Sequence, residues 1–180
     1  MLRNSQSDER ARAMAHPGRF NPIRIQSEHS DTAGHFRVVL QPGKSLHDAL
    51  VHPLRQVGVT SASTTVLGGV FSYLEYCVAP PDPRKEAVIR YSDPIIAGAS
   101  YLVFGNATLG RSSEDNPMVH CHAAVRREDG VVMGGHIIPE KTIVGTDPIS
   151  VLVTSFEGFE LRQMYDPETN IPLFQPVASI

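Results

Sequence analysis

Residues 119–136 read VHCHAAVRREDGVVMGGH, and the way this stretch folds decides how the rest of the chain is read. In an extended strand, alternate side chains share a face. The odd positions Val119, Cys121, Ala123 and Val125 are small or apolar, so that face belongs to a core. The even face carries His120 and His122, two residues apart and pointing the same way. A second apolar run from Val131 follows an Asp-Gly turn signal, and the two runs read as a β-hairpin.

Where His136 falls depends on the turn. If Asp129-Gly130 were the centre of a two-residue type I′ turn, His136 would sit opposite Ala123, on the core side. If Glu128-Asp129-Gly130 is a three-residue loop with Gly130 in the left-handed region, Arg127 faces Val131 and His122 lies opposite His136. Cβ atoms of such a pair are about 4.5–5.5 Å apart. Burial favours the second register, because it puts Val131, Met133 and Ile137 with the apolar face and keeps a third histidine out of it. A slip of one residue would invert every side chain, and a bulge at Gly134-Gly135 would also alter the count. The favoured register predicts three imidazoles on one face. Three neutral imidazoles hold a divalent ion, zinc above all, at about 2.0–2.1 Å and leave a fourth position for water or substrate. Gly134 and Gly135 shape such a site by removing side chains that would crowd the ion, and Gly130 shapes it by closing the loop. The bland alternative is that His120, His122 and His136 only hydrogen-bond or line a subunit contact.

Composition bounds the rest. The chain has 180 residues, 41% of them hydrophobic, with 14 glycines and 14 prolines. This suits a single turn-rich domain with short extensions, rather than a helical bundle or a disordered chain. A formal charge of −3 offers no bulk attraction to nucleic acid or anionic lipid. No apolar run approaches the roughly 18 residues of a membrane span. The opening MLRNSQSDERARAMAH lacks the apolar region of a secretory signal. Cys77 and Cys121 form neither a disulfide framework nor a CxxC pair. The expectation is a cytoplasmic protein without a membrane partner.

Residues 1–30 read as an extended charged arm, 31–160 as the folded domain, and 161–180 as an extension packing on the domain or a neighbouring subunit. HFRVVLQPG is a strand ending in a Pro-Gly turn. SLHDALVHPLRQVGV carries the one good helix signal. Ser45 caps it, Asp48 lies in its first turn, Leu46, Leu50 and Leu54 recur at helical spacing, and Gly58 stops it. Pro53 sits too deep for a first-turn proline, so a kink or early break is expected near His52. Beyond Gly58 the pattern is almost wholly β. TSASTTVLGGV and FSYLEYCVA surround a bend at Gly68-Gly69, and AVIRYSDP, ASYLVFGNATL, the histidine hairpin, TIVG and ISVLVTSF follow. Asp166-Pro167 marks a turn in the mixed closing segment. One main helix among about seven strands predicts an α+β fold with a largely antiparallel sheet, and excludes a Rossmann alternation.

HCHAAVRREDGVVMGGHIIPEKTIVG resembles the signature of the plants-and-prokaryotes-conserved (PPC) domain: H-x-H, a variable turn ending in glycine, then G-G-H. LQPGKSLHDAL, VLGGVFSYLEY and FGNATLG are similar to its upstream segments, so the resemblance covers roughly residues 34–157. It is to the prokaryotic stand-alone type. The resemblance implies an antiparallel sheet flanked by helix, a homotrimer, and a metal held by His120, His122 and His136. Plant members add an AT-hook that enters the DNA minor groove. Here PGRFNP at 17–22 offers Arg19 without an Arg-Gly-Arg-Pro core, and GASYLVFGNATLG stands where plant members carry Arg-Phe-Glu. Both absences weaken a DNA-binding expectation, and fold analogy does not by itself assign function.

Other motifs are weaker. PGKS at 42–45 fails as a P-loop because Val38 stands where glycine is needed. Cys121 and Cys77 read as buried structural thiols. His35, His47 and His52 are isolated, although His47 or Glu75 could complete the site across a subunit interface. Arg126-Arg127 and Arg84-Lys85 are too small for a nucleic-acid footprint. Three functions remain: metal-dependent action on or binding of a small molecule, a DNA-associated regulatory module, and a non-catalytic metal or ligand sensor.

Overall fold

The alternation that begins after Gly58 is realised as one extensively paired sheet. The structure, a computed structural model, describes residues 14–24 and 26–178. In chain order the elements are β1 (His35–Leu40), α1 (Leu46–Gln56), β2 (Ala62–Val66), β3 (Gly69–Tyr73), β4 (Glu75–Cys77), β5 (Ile95–Ile96) and β6 (Ser100–Arg111). Then come β7 (Pro117–Arg127), β8 (Val132–Ile137), β9 (Ile143–Val144), β10 (Ile149–Ser155), β11 (Phe159–Asp166) and β12 (Ile171–Ala178). The main path across the sheet is β1-β10-β2-β6-β7-β8-β4-β5. β3 pairs with β6 and β9, while β11 and β12 form a hairpin joined to β6. Every pairing is antiparallel except the single contact of Arg162 on β11 with Arg111 on β6. The fold is therefore the expected antiparallel sheet with one helix, but with twelve strands among the described residues rather than about seven.

The extra strands have local causes. FSYLEYCVA does not run as one strand. The chain changes partners at the buried Leu74, so β3 lies against β6 and β9 whereas β4 lies against β8 and β5. The mixed closing segment becomes the β11–β12 hairpin, with its turn after Asp166. AVIRYSDP, in contrast, is not a strand apart from an isolated bridge between Pro81 and Ile89. Its neighbour in space is the PPDP segment, whose prolines cannot donate ladder hydrogen bonds. The backbone here bonds to loops instead, as in Arg90 N–H to the Pro80 carbonyl at 3.0 Å.

Helix α1 begins as expected: the Ser45 hydroxyl accepts from the Asp48 N–H at 3.0 Å. It does not break near His52. It continues past Pro53 to Gln56, and Gly58 turns the chain with φ +79°. Pro53 removes one intrahelical hydrogen bond, but Leu54 in the final turn is fully buried and holds that turn on the sheet. Leu46, Leu50 and Leu54 join Leu40, Val66 and Val119 in one apolar cluster. Burying each leucine contributes roughly 1.5–3 kcal/mol. At the Gly68-Gly69 bend φ is +100° and +153°, and a Cβ on Gly69 would lie 2.5 Å from the Ile149 side chain. The bend carries the chain from β2 to β3 while both strands stay on β6, through Val66 opposite Gly105 and Gly69 opposite Leu102. With the core side of β7 packed on α1 and its neighbours, the opposite face of β7 and β8 is left free for polar side chains.

Candidate metal centre

The turn between β7 and β8 takes the three-residue form. The Arg127 N–H bonds to the Val131 carbonyl at 3.0 Å, the Gly130 N–H bonds back to the Arg127 carbonyl at 3.0 Å, and Gly130 has φ +83°. The Asp129 carboxylate accepts from the Val131 N–H at 3.0 Å and steadies the loop. His122 is therefore paired directly with His136, and Cys121 with Ile137. Val119, Cys121 and Val125 point into the core as the alternation demands.

His120, His122 and His136 converge: one ligand nitrogen from each lies within 4.8 Å of the other two. Their ring centroids are 4.7 Å apart for His120 and His136, 4.8 Å for His120 and His122, and 5.5 Å for His122 and His136. Tetrahedral zinc with nitrogen bonds of about 2.0–2.1 Å requires nitrogen separations of about 3.4 Å, a difference that small side-chain rotations close. His136 Nδ1 is buried and has no hydrogen-bond partner. An unpaired buried nitrogen is unfavourable, and donating a lone pair to a cation relieves it. Burial, followed by the neighbouring His136 and His122, pushes the His120 pKa from 6.5 down to about 4. Burial and then His122 lower that of His136. Burial thus favours the neutral form of both rings, the form that ligates. The donor set fits a divalent ion such as zinc.

The glycines beside His136 answer to sterics. A Cβ on Gly134 would lie 2.0 Å from the Ala123 carbonyl oxygen, and one on Gly135 would lie 2.4 Å from that of Cys77. They allow three backbones to close together under the histidines.

Among the other sequence candidates, His47 bonds to Asp48 at 3.0 Å and His35 to Thr154 at 3.2 Å, and neither joins the cluster. His52 is exposed on α1. The Glu75 carboxylate accepts from the Tyr73 hydroxyl. Cys121 is fully buried, and burial pushes its thiol up to about 12, leaving it inert. Cys77 is buried as well, and it is paired with His136 across β4 and β8, which puts it in the histidine row. Burial, then Asp93 and Glu75, raise its pKa. Two aromatic neighbours also escape sequence reasoning. The Tyr91 ring lies 4.9 Å from that of His136, and the Phe174 ring 6.2 Å from that of His120. Both come from segments whose approach depends on tertiary packing, and no spacing rule points to them.

This antiparallel sheet, with its glycine-flanked histidine hairpin, defines a recognisable class. The Plants and Prokaryotes Conserved (PCC) domain matches residues 28–157, and the chain belongs to that family. Solved structures share the fold. A metal-containing protein from Archaeoglobus fulgidus superposes with a TM-score of 0.67 at 18% identity, covering 83% of this chain and 99% of that one. A plant- and prokaryote-conserved (PPC) protein from Pyrococcus horikoshii gives 0.65 at 15% identity, covering 86% and 100%. A candidate DNA-binding protein from Ralstonia eutropha JMP134 gives 0.62 at 21% identity, covering 77% and 88%. A comparison with curated proteins returned no match.

Proposed function

We propose that this protein is a homotrimer carrying one divalent metal, zinc for preference, on His120, His122 and His136 of each subunit, and that it binds or acts on a small molecule there. The observation that carries the reading is the convergence of three imidazoles, one of which, His136, has a buried and unpartnered Nδ1. An ion so held supplies positive charge that polarises a carbonyl or activates water. The chain's own part is to fix three ligands on two paired strands, with glycines keeping the approach clear. Among the described residues no Asp, Glu or Cys joins the cluster, which favours an open fourth position over a closed structural shell. The trimer reading is supported by exposed apolar side chains on adjacent β3 and β6, with Val70 paired to Tyr101 and both about 40% exposed. A cytoplasmic location and the division into arm, domain and extension belong to the same proposal. No helix among the described residues is long and apolar enough to cross a membrane.

The test is metal content of purified protein. One zinc per chain in the wild type and loss of it in His122→Ala are expected; equal metal in both rejects the site. The name of the Ralstonia relative supports a second reading, a DNA-associated module whose metal is structural. Salt-dependent retardation of duplex DNA would favour it, because phosphate contacts release counterions. The net charge of −3 speaks against it. A sensor without catalysis is the third reading, distinguished by metal-dependent ligand binding without turnover.

A further inference from the structure

Two rings stand against the histidine cluster without belonging to the ligand set, and one of them lies outside the family segment. Phe174 is on β12, beyond residue 157 where the family match ends. Tyr91 sits in the loop between β4 and β5. We propose that Tyr91 and Phe174 make the histidine centre a receptor for small carboxylates carried on a flat apolar body, an aromatic or conjugated acid, in preference to compact anions. The inference rests on the metal reading above and names its ligand class.

Charge selects the head of the ligand. Three imidazoles contribute no negative charge, and among the described residues no carboxylate or thiol joins their cluster. A divalent cation there keeps its full charge and favours an anion. Polar neighbours suit an oxyanion: Asn106 is paired with His122, and Thr108 with His120, on the same face of the sheet. Their amide and hydroxyl groups are donors of the kind that bind carboxylate oxygens.

The rings select the body. Tyr91 stands 4.9 Å from His136 and tilted by 46°, whereas Phe174 stands 6.2 Å from His120 and nearly edge-on at 71°. These separations fall within the 4.5–7 Å over which aromatic rings attract. The two rings guard two of the three corners. The third, exposed His122, is the open one. A compact anion such as acetate or phosphate uses only the metal and the donors. A flat acid also touches the rings.

The walls are preorganised, which is what makes them selective. The loop bearing Tyr91 is tied to the turn of the β11–β12 hairpin by the Val88 N–H on the Thr169 carbonyl at 2.8 Å and the Asn170 amide on the Glu86 carbonyl at 2.7 Å. That turn is tied in its own right to the N-terminal segment, through the Gly18 N–H on the Glu168 carbonyl at 2.8 Å and Arg24 on the buried Glu168 carboxylate at 3.2 Å. Elements on both sides of the family segment thus brace the rings.

The test is calorimetric titration of the zinc-loaded full chain with benzoate, acetate and inorganic phosphate, after metal content has been measured for each variant. Benzoate is expected to bind at least about tenfold more tightly than acetate or phosphate. Phe174→Leu and Tyr91→Leu should each remove a factor of about three to ten for benzoate and leave acetate unchanged, while Tyr91→Phe keeps the preference. Equal affinity for benzoate and acetate in the wild type overturns the proposal, as does an unaltered ratio in folded leucine variants. Should a leucine variant fail to fold, the wild-type ratio and Tyr91→Phe decide. A chain that takes up zinc but does not discriminate sinks this inference alone, whereas a chain that takes up no zinc sinks the metal reading as well.

Discussion

His120 shows how packing sets the chemistry of a single side chain. Its imidazole in the folded protein protonates near pH 4 rather than 6.5, chiefly because it is partly buried and then because two other histidines adjoin it. A depressed folded pKa means that the unfolded chain binds the extra proton first. The associated stability is complete above pH 6.5 and is lost as pH falls through about 4. Metal-free protein should therefore show a falling denaturation midpoint across that window, and His120→Gln should flatten the slope; an unchanged slope would contradict the assignment. Gly134 makes a steric counterpart. With the Ala123 carbonyl oxygen only 2.0 Å from where a Cβ would stand, Gly134→Ala must push the strands apart. A loss of about 2 kcal/mol in chemical denaturation is expected, together with weakened metal uptake. Normal stability would mean that the strands are less closely apposed than described.

The element that matters most is the β7–β8 hairpin, and its loop sets what the histidines can do. Gly130 at φ +83° permits the three-residue turn, and that turn alone puts His136 opposite His122 instead of opposite Ala123. Deleting Glu128, which leaves a two-residue loop, should switch the register, bury His136 and abolish metal binding; retained binding would show that β4, not the loop, holds β8 in place. Helix α1 offers a simpler test. Ser45→Ala removes the hydroxyl that accepts from Asp48 N–H and should lower stability by about 1 kcal/mol without changing metal content. An effect on metal content would mean that the helix start supports the site.

At the scale of the whole molecule, an exposed apolar grouping lies on β3 and β6. Val103 and Phe104 of β6 are 50% and 56% exposed beside Tyr101 and Val70, a grouping that soluble monomers seldom display. If it is the trimer contact, light scattering should give three chains for the wild type and a single chain for Phe104→Glu, with zinc binding retained wherever the ligands come from one subunit. A wild-type monomer, or a trimer indifferent to the charge, would assign this face to another partner. The terminal segments work at the same scale. The described N-terminal residues and the β11–β12 hairpin meet at the carboxylates of Asp166 and Glu168, both buried, with Arg24 reaching each of them.

Much of this was legible in the residues. Alternation of small apolar and polar side chains in β7 determined which face is core. Glycine at 130 and a core that rejects a third histidine together selected the register, because a one-residue slip would invert every side chain. The capping serine, leucine spacing and Gly58 defined α1, although not its passage through Pro53, where the burial of Leu54 outweighed a missing hydrogen bond. What only the tertiary structure decided are the contacts between segments distant in sequence: the partner switch at Leu74, Cys77 in the row with His136, and Tyr91 and Phe174 against the histidines. Local periodicity reports which side of a strand faces a core. It carries no information about which strand lies next to it, since that depends on packing the whole chain at once.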